Sequence, residues 1–547
     1  MKSGGDDHST SAPNYLRRRL IAGGAAAGVI GGTGIGLKQL VGALDFAGTN
    51  QATAPNPPAA KSGPAEHDPE WIRAENDNLG NPDWQVPENA PQIWDRIRGF
   101  ASYTSVNQGD PFNISVSTKA KSWFVEAYRI GWYGGAGARL IWRSDTQPGI
   151  KQAPAVQDPD TRQWSAPWES SLRINTDDSW VPGMYLLRLI SADFGLSYIP
   201  ITIRDDRSTS ALLVQSSVTT WQAYNEWGGA SLYKSTGTTA KNRSYVVTFD
   251  RPYYRKGSGE FFGREYEFIL WAERLGLDLS YCTNIDTHLH PERILQHKAF
   301  ISLGHDEYYS TAMRRGVENA RDEGVNLLFL GANACFRKVR LEENPEGRPA
   351  RQLVNYRDAQ LDPLHTSKPS EVTTSWRDGP EPEPESSLIG NYYEANPVEA
   401  DMVVAHSKSW VFTGTGLANG DAFTGVVGNE YDRVTPEVPT PDNIEVLFHS
   451  PVVVKGKKSF ADMTYYTASS GAGVIATGTL WWIPQLAPVC QDPSAPHEPL
   501  NPACAIQTIT KNIINVFGNG PAAKQHPSVS NLKELGIHKG YIKHPPR

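Results

Sequence analysis

The sequence predicts a β plus α/β protein: an Ig-like antiparallel β-sandwich followed by a mostly parallel α/β domain. Three observations carry that prediction. A chain of 547 residues exceeds what one hydrophobic core usually serves, so two structured domains plus tails are expected. From about residue 68 to 206, short alternating runs are divided by turns, with no 3.6-residue periodicity. Beyond Arg207, apolar runs alternate with helical stretches, the grammar of a parallel sheet covered on both faces.

Residues 1–44 come first. Arg17-Arg18-Arg19-Leu20-Ile21 precedes AGGAAAGVIGGTGIGL, a Gly-rich and only weakly hydrophobic stretch. Twin arginines before such a stretch resemble a Tat-type export signal, and a single N-terminal membrane anchor is the alternative. The expected location is therefore secreted, periplasmic or bound to the cell envelope. Residues 45–67, with TNQATAPNPPAAKSGPAEH, read as a disordered linker.

The sandwich is assigned to residues 68–206. Pro111 to Ser117 and Ser122 to Tyr128 alternate as strands, GWYGGAGA supplies a glycine turn, and Gly183 to Leu189 is a late strand. The α/β domain is assigned to residues 207–520. Ala211 to Gln215, LDLSYCT, AFISLG and VNLLFLG are its apolar strands; GEFFGREYEFILWAERLG, HPERILQHKA and STAMRRGVENARDEG are helical. The stretch from about 340 to 440 is Pro- and Gly-rich with few regular patterns, and is long enough to be a functional insertion. Strands resume at Asn443 to Val454 and Gly473 to Trp482, a helix follows around Ala505 to Phe517, and residues 521–547 form a tail.

Composition excludes some partners. A hydrophobic share of 39% and a charged share of 20% are ordinary for a globular protein, and the net charge of -7 gives no reason to expect nucleic acid. Of the four cysteines, Cys490 and Cys504 bracket a polar, Pro-rich loop that suits a disulfide in an exported protein. Cys282 and Cys335 sit in apolar surroundings and are expected to be buried thiols.

In an open α/β sheet, ligands collect beyond the carboxyl ends of the strands. Three polar clusters fall there: Trp221 to Glu226, His305-Asp306-Glu307-Tyr308, and Asn333-Ala334-Cys335. Each has an ordinary structural explanation. Asp306 suits the N-cap of the following helix, Glu307 its first turn, and His305 a hydrogen bond to a backbone carbonyl. Their coincidence at one sheet edge points instead to a site. The chain has no G-x-S-x-G elbow, no H-E-x-x-H, no C-x-x-C pair and no P-loop, which argues against serine triads, zincins, zinc knuckles and nucleotide phosphate binding. Without an elbow, Cys335 is a weak nucleophile candidate.

Taken together, YRIGWYGGAGARL, WQAYNEWGGASLY, GHDEYYS, ARDEGVNLLFLGANACF and GVVGNEYDR resemble the large (β) subunit of N,N-dimethylformamidase and its relatives, over about residues 95 to 485. The resemblance implies an amidotransferase-like, three-layer α/β domain beside the sandwich, and hydrolysis of a C–N amide bond. It implies a mononuclear non-haem iron, as Fe(III), held by Tyr185, Tyr224 and Glu307, with Tyr185 reaching across from the sandwich so that the metal staples the domains. Three hard anionic oxygens suit a ferric ion, and a tyrosine needs such an ion to ionise at neutral pH. His305 and Asn333 are then the polar neighbours that shape the substrate site, and Glu430 is the candidate base. Expected partners are a small amide or other small-molecule substrate. An export signal makes the family's small partner subunit doubtful, self-association into a homo-oligomer stays open, and a non-catalytic cell-envelope ligand-binding protein is the rival reading.

Overall fold

The computed structural model describes residues 68–235, 242–487, 490 and 502–540. The expected export segment and linker lie outside the described residues. Among the described residues no helix is long and apolar enough to cross a membrane.

The chain is mixed and mostly β, with several sheets and few helices. A short helix, α1 (Trp71–Asn76), precedes the longer strands of the first portion: β1 (Ile97–Ala101), β2 (Ser105–Asn107), β3 (Pro111–Thr118), β4 (Ser122–Ile130), β5 (Ala138–Arg143), β6 (Leu172–Asn175), β7 (Gly183–Ser191) and β8 (Leu196–Arg204). One sheet has the order β1-β3-β6, and the other has β2-β8-β7-β4-β5. Their facing residues share one core, which includes Ile114 and Val116 of β3, Val125 of β4 and Leu187 and Leu189 of β7. Along β7 the pleat sends odd residues into that core, while Met184, Leu186 and Ile190 face the rest of the molecule.

The next strands are β9 (Leu212–Ser216), β10 (Leu279–Thr283), β11 (Ala299–Leu303), β12 (Tyr308–Ser310), β13 (Asn326–Leu330) and β14 (Arg337–Glu342). They are followed by β15 (Tyr392–Val403), β16 (Ala422–Arg433), β17 (Glu445–Val454), β18 (Lys457–Thr467) and β19 (Gly473–Ala476). The large sheet has the order β10-β9-β11-β13-β19-β18-β17; its first five strands are parallel and its last two pair antiparallel. Four helices matter here: α2 (Val218–Tyr224), α3 (Tyr266–Arg274), α4 (Thr311–Asp322) and α5 (Pro502–Phe517).

Each parallel strand is buried on both sides, and alternate residues join different cores. Leu212, Val214, Ile301 and Leu328 pack with Phe268 of α3 and Ile509 of α5. Leu213, Phe300 and Leu327 pack with Met313 and Val317 of α4. Burying such a side chain contributes about 1.5–3 kcal/mol, so both faces hold the sheet in place.

Two expectations need correction. The stretch from 340 to 440 is irregular only in part: its second half holds β15 and β16, twelve-residue strands paired antiparallel. Register shifts at Tyr393/Ala395, Ala395/Val398 and Ala400/Met402 break their alternation, which is why no period is visible in the sequence. Asp306 is not the cap of α4. Ser310 takes that place, its side chain accepting from the Met313 amide at 3.2 Å, because β12 intervenes and delays the helix. Cys490 and Cys504 are bonded, with Cα atoms 5.5 Å apart, and Cys282 and Cys335 are buried free thiols.

Candidate active site

The chain runs from β9 outward to β10 and then returns to β11 on the other side of β9. The carboxyl ends of β9 and β11 therefore lead away in opposite senses, which opens a crevice at that edge of the sheet. Beyond β9, α2 carries Tyr224 at its last position. Beyond β11 comes Gly304 and beyond β13 comes Gly331. A Cβ on Gly331 would lie 1.6 Å from the Gly304 carbonyl oxygen, and Gly304 itself has φ +63°. Only glycine permits this approach, which brings His305-Glu307 and Asn333 side by side.

The cluster is tight. Tyr224 Oη donates to Glu307 Oε2 at 2.8 Å. His305 Nε2 lies 3.4 Å from Glu307 Oε2 and 3.3 Å from Glu430 Oε2, with Asn333 Nδ2 at 3.4 Å. Glu430 arrives on β16, and its Oε1 accepts from Asn396 Nδ2 of β15 at 2.9 Å. The Glu307 amide donates to Thr220 Oγ1 of α2 at 3.0 Å, and its carbonyl accepts from the Arg337 amide at 2.8 Å. Asp432, two residues beyond Glu430, accepts from the Asn333 amide at 2.9 and 3.1 Å. That bond holds Asn333 at its left-handed φ of 59°.

Burial and charge set the protonation states. Burial alone depresses the His305 imidazole, but Glu430 and Glu307 outweigh it and raise its pKa, so His305 carries a proton between two carboxylates. Burial raises Glu307, yet His305, Arg337 and Arg357 hold it below the ordinary carboxylate range. Burial, with Glu307 beside it, pushes the Tyr224 phenol well above 10. Burial likewise lifts Asp432 to about 7. Among the described residues, Asn333 Oδ1 is buried with no hydrogen-bond partner, and Glu430 Oε2 has only the His305 ion pair.

Five of the six expected residues meet here: Tyr224, His305, Glu307, Asn333 and Glu430. Tyr185 does not. It is an odd residue of β7, so the pleat turns it into the sandwich core, where it stacks on Trp180 at 5.3 Å and donates to the Val181 carbonyl at 2.7 Å. Arg129 of β4 and Glu273 of α3 join the two-sheet portion to the portion after it as a buried pair at 2.7 Å. Asp306 lies beneath the cluster and accepts from Ser302, Tyr309, Gln215 and Asn284 at 2.7 to 2.9 Å, a structural anchor for the loop. Cys335 is buried with its thiol pushed up to about 12 by burial, far from a thiolate.

Sequence reasoning missed Tyr233, whose ring stacks on Tyr224 at 5.1 Å, as well as Arg337 and Arg357. Arg337 was findable as the first charged residue after GANACF. Tyr233 and Arg357 lie outside the named strands and helices, where no period marks them.

Sheet edge and cluster together define the class: a β-rich, multidomain protein with a carboxylate–imidazole–phenol site at the carboxyl edge of a mainly parallel sheet. The chain belongs to the N,N-dimethylformamidase beta subunit-like, C-terminal family, whose model matches residues 124–494. No curated protein is a significant match. Among solved structures, an uncharacterized protein from Bacillus anthracis str. Ames is 13% identical over 22% of this chain and 94% of its own, with a TM-score of 0.14. A Paenibacillus sp. cycloisomaltooligosaccharide glucanotransferase is 10% identical over 48% of this chain and 34% of its own, also with a TM-score of 0.14. Neither likeness bears on the architecture.

Proposed function

We propose that the chain is an exported, iron-dependent hydrolase of a C–N amide bond, acting on a small linear amide. Family membership supports the reaction class. The observation that carries the site assignment is the convergence of Tyr224, Glu307, His305 and Glu430, with Glu430 Oε2 buried against His305 at 3.3 Å. Export rests on Arg17 to Arg19 alone, and we read the two-sheet portion as Ig-like and the following portion as an amidotransferase-like three-layer domain.

Two hard oxygen donors support a cation here, and among the described residues no group of three or more His, Cys, Asp or Glu side chains gathers as a metal site. Tyr224 donates to Glu307 at 2.8 Å, a phenol and a carboxylate that an ion would hold as two anionic oxygens. These two residues would hold the iron, and Tyr185, in the sandwich core, would not. Iron bound there supplies Lewis acidity toward a carbonyl or a water.

The remaining steps belong to side chains. Glu430, its Oε2 turned into the cluster, accepts the proton of an attacking water. The protonated His305, 3.3 Å from that oxygen, donates toward the oxygen on which charge develops and then toward the departing nitrogen. Asn333 Nδ2 lies beside the same ring and steadies the polarised carbonyl.

The test is metal content and colour. Protein expressed with iron is expected to bind the metal and to show the visible absorption of ferric tyrosinate, and Tyr224→Phe is expected to shift or bleach it. Iron-free, colourless protein would overturn the iron reading. Intact iron without turnover of any small amide would favour a ligand-binding protein.

A further inference from the structure

Three guanidinium groups stand at one side of the cluster. Arg337 begins β14, and its Nε lies 3.4 Å from Glu307 Oε1. Arg357 donates to Tyr308 Oη at 3.1 Å and lies over the Tyr233 ring at 4.8 Å, while its Nε is buried with no partner. Arg243 is held by carbonyls, those of Asn355 at 3.1 Å, Ser244 at 3.2 Å and Tyr356, and lies over the Tyr245 ring at 5.2 Å. Among the described residues, Glu307 is the only acid that pairs with any of the three.

The balance of charge is therefore lopsided. Arg243, Arg337 and Arg357 have one acid between them, Glu307, and that carboxylate is already shared with Tyr224 and His305. Burial, and after it Arg357, depress Arg243 to about 10 against the opposing Tyr308 and Tyr245. Cations are gathered in a low-dielectric setting without counter-charges only at a cost. A neutral amide would not relieve that cost, but an anionic one would.

We propose that the substrate amide carries an oxyanion of its own, which seats against the free Nε of Arg357 with Arg337 and Arg243 beside it. Its amide then meets His305, Asn333 and Glu430. This proposal rests on the amide-hydrolase reading and adds the substrate class. A guanidinium pairs with either a carboxylate or a phosphate-type group, so the oxyanion is the shared chemistry.

The experiment compares three amides on the iron-loaded full chain: N-formylglycinamide, N-formylglycine and N-formylaminomethylphosphonate. At least one anionic compound is expected to exceed the neutral one in kcat/KM by about tenfold or more, the scale of a charge-assisted hydrogen bond. Which anion wins separates carboxylate from phosphate-type recognition. Arg357→Gln is expected to cost the anionic substrate about tenfold more than the neutral one, mainly in KM, with Arg357→Lys recovering part of it. Arg337→Gln serves if Arg357→Gln fails to fold.

Equal turnover of neutral and anionic amides, or an equal loss on both in Arg357→Gln, would overturn the proposal. Calorimetric binding of propionate and methylphosphonate against propionamide needs no turnover. Arg357-dependent anion binding without hydrolysis of any amide would keep the anion seat at Arg357 and reject both the hydrolase reading and an amide as its occupant. Turnover of amides with neither anion preference nor anion binding would reject this proposal alone.

Discussion

Two regions of this molecule bury charge, and they do it differently. Between the sandwich and the large sheet, Arg129 and Glu273 are both 0% exposed and meet through two bonds of 2.7 and 2.8 Å. Glu273 also accepts from Tyr281 at 2.5 Å and Asn76 at 2.8 Å, while Arg129 also donates to Pro182 and Tyr133. Neither has an unpartnered buried atom. At the sheet edge, Asn333 Oδ1 and Arg357 Nε have no hydrogen-bond partner among the described residues, and Glu430 Oε2 has only His305 at 3.3 Å. A buried charge that only joins domains uses all its hydrogen bonds, because each one missed costs about 1–3 kcal/mol. A cluster that leaves several unused has them for something that arrives later.

Breaking the first region should have the largest effect. Arg129→Met leaves Glu273 buried without its cation and is expected to lower the unfolding free energy by about 3–5 kcal/mol, read from the urea midpoint. Adding Glu273→Leu should recover much of that loss; an additive further loss would show that the pair does not act as a unit.

Glu265 sharpens the contrast by having no cation at all. Burial raises its carboxyl to about 8, so it folds protonated, with Oε1 accepting from the Ser217 amide at 2.9 Å. An acid raised in the folded state stabilises below its unfolded pKa of 4.5, and that contribution is lost as pH rises through about 8. Stability should therefore fall across this window, and Glu265→Gln should flatten the fall. An unchanged slope would place the titration elsewhere.

The smallest effect is expected at Tyr185. Tyr185→Phe removes one hydrogen bond, to Val181, and should cost about 0.5–1.5 kcal/mol while leaving metal content intact. Loss of metal in this variant would return Tyr185 to the site and remove the distinction drawn between the two regions.

Much of the fold could be read from particular residues. The buried runs of β9, β11 and β13 stand out because a parallel strand covered on both sides has no polar alternation to hide it. Tyr224, His305, Glu307 and Asn333 follow those runs, so their place at one edge was legible. Glu430 was legible only through the resemblance, since the bulges of β15 and β16 erase the period that would reveal its strand.

What the sequence determined by itself is local: which segments are strands or helices, where each strand ends, and which polar residues stand at those ends. Tertiary structure alone decided the rest. A one-residue step along β7 separates the sandwich core from the domain interface, so Tyr185 was excluded by pleat parity and not by residue type. The same holds for Tyr233, Arg243 and Arg357, whose roles depend on distances across segments far apart in the chain. Composition and spacing carry no measure of such distances, and only packing sets them.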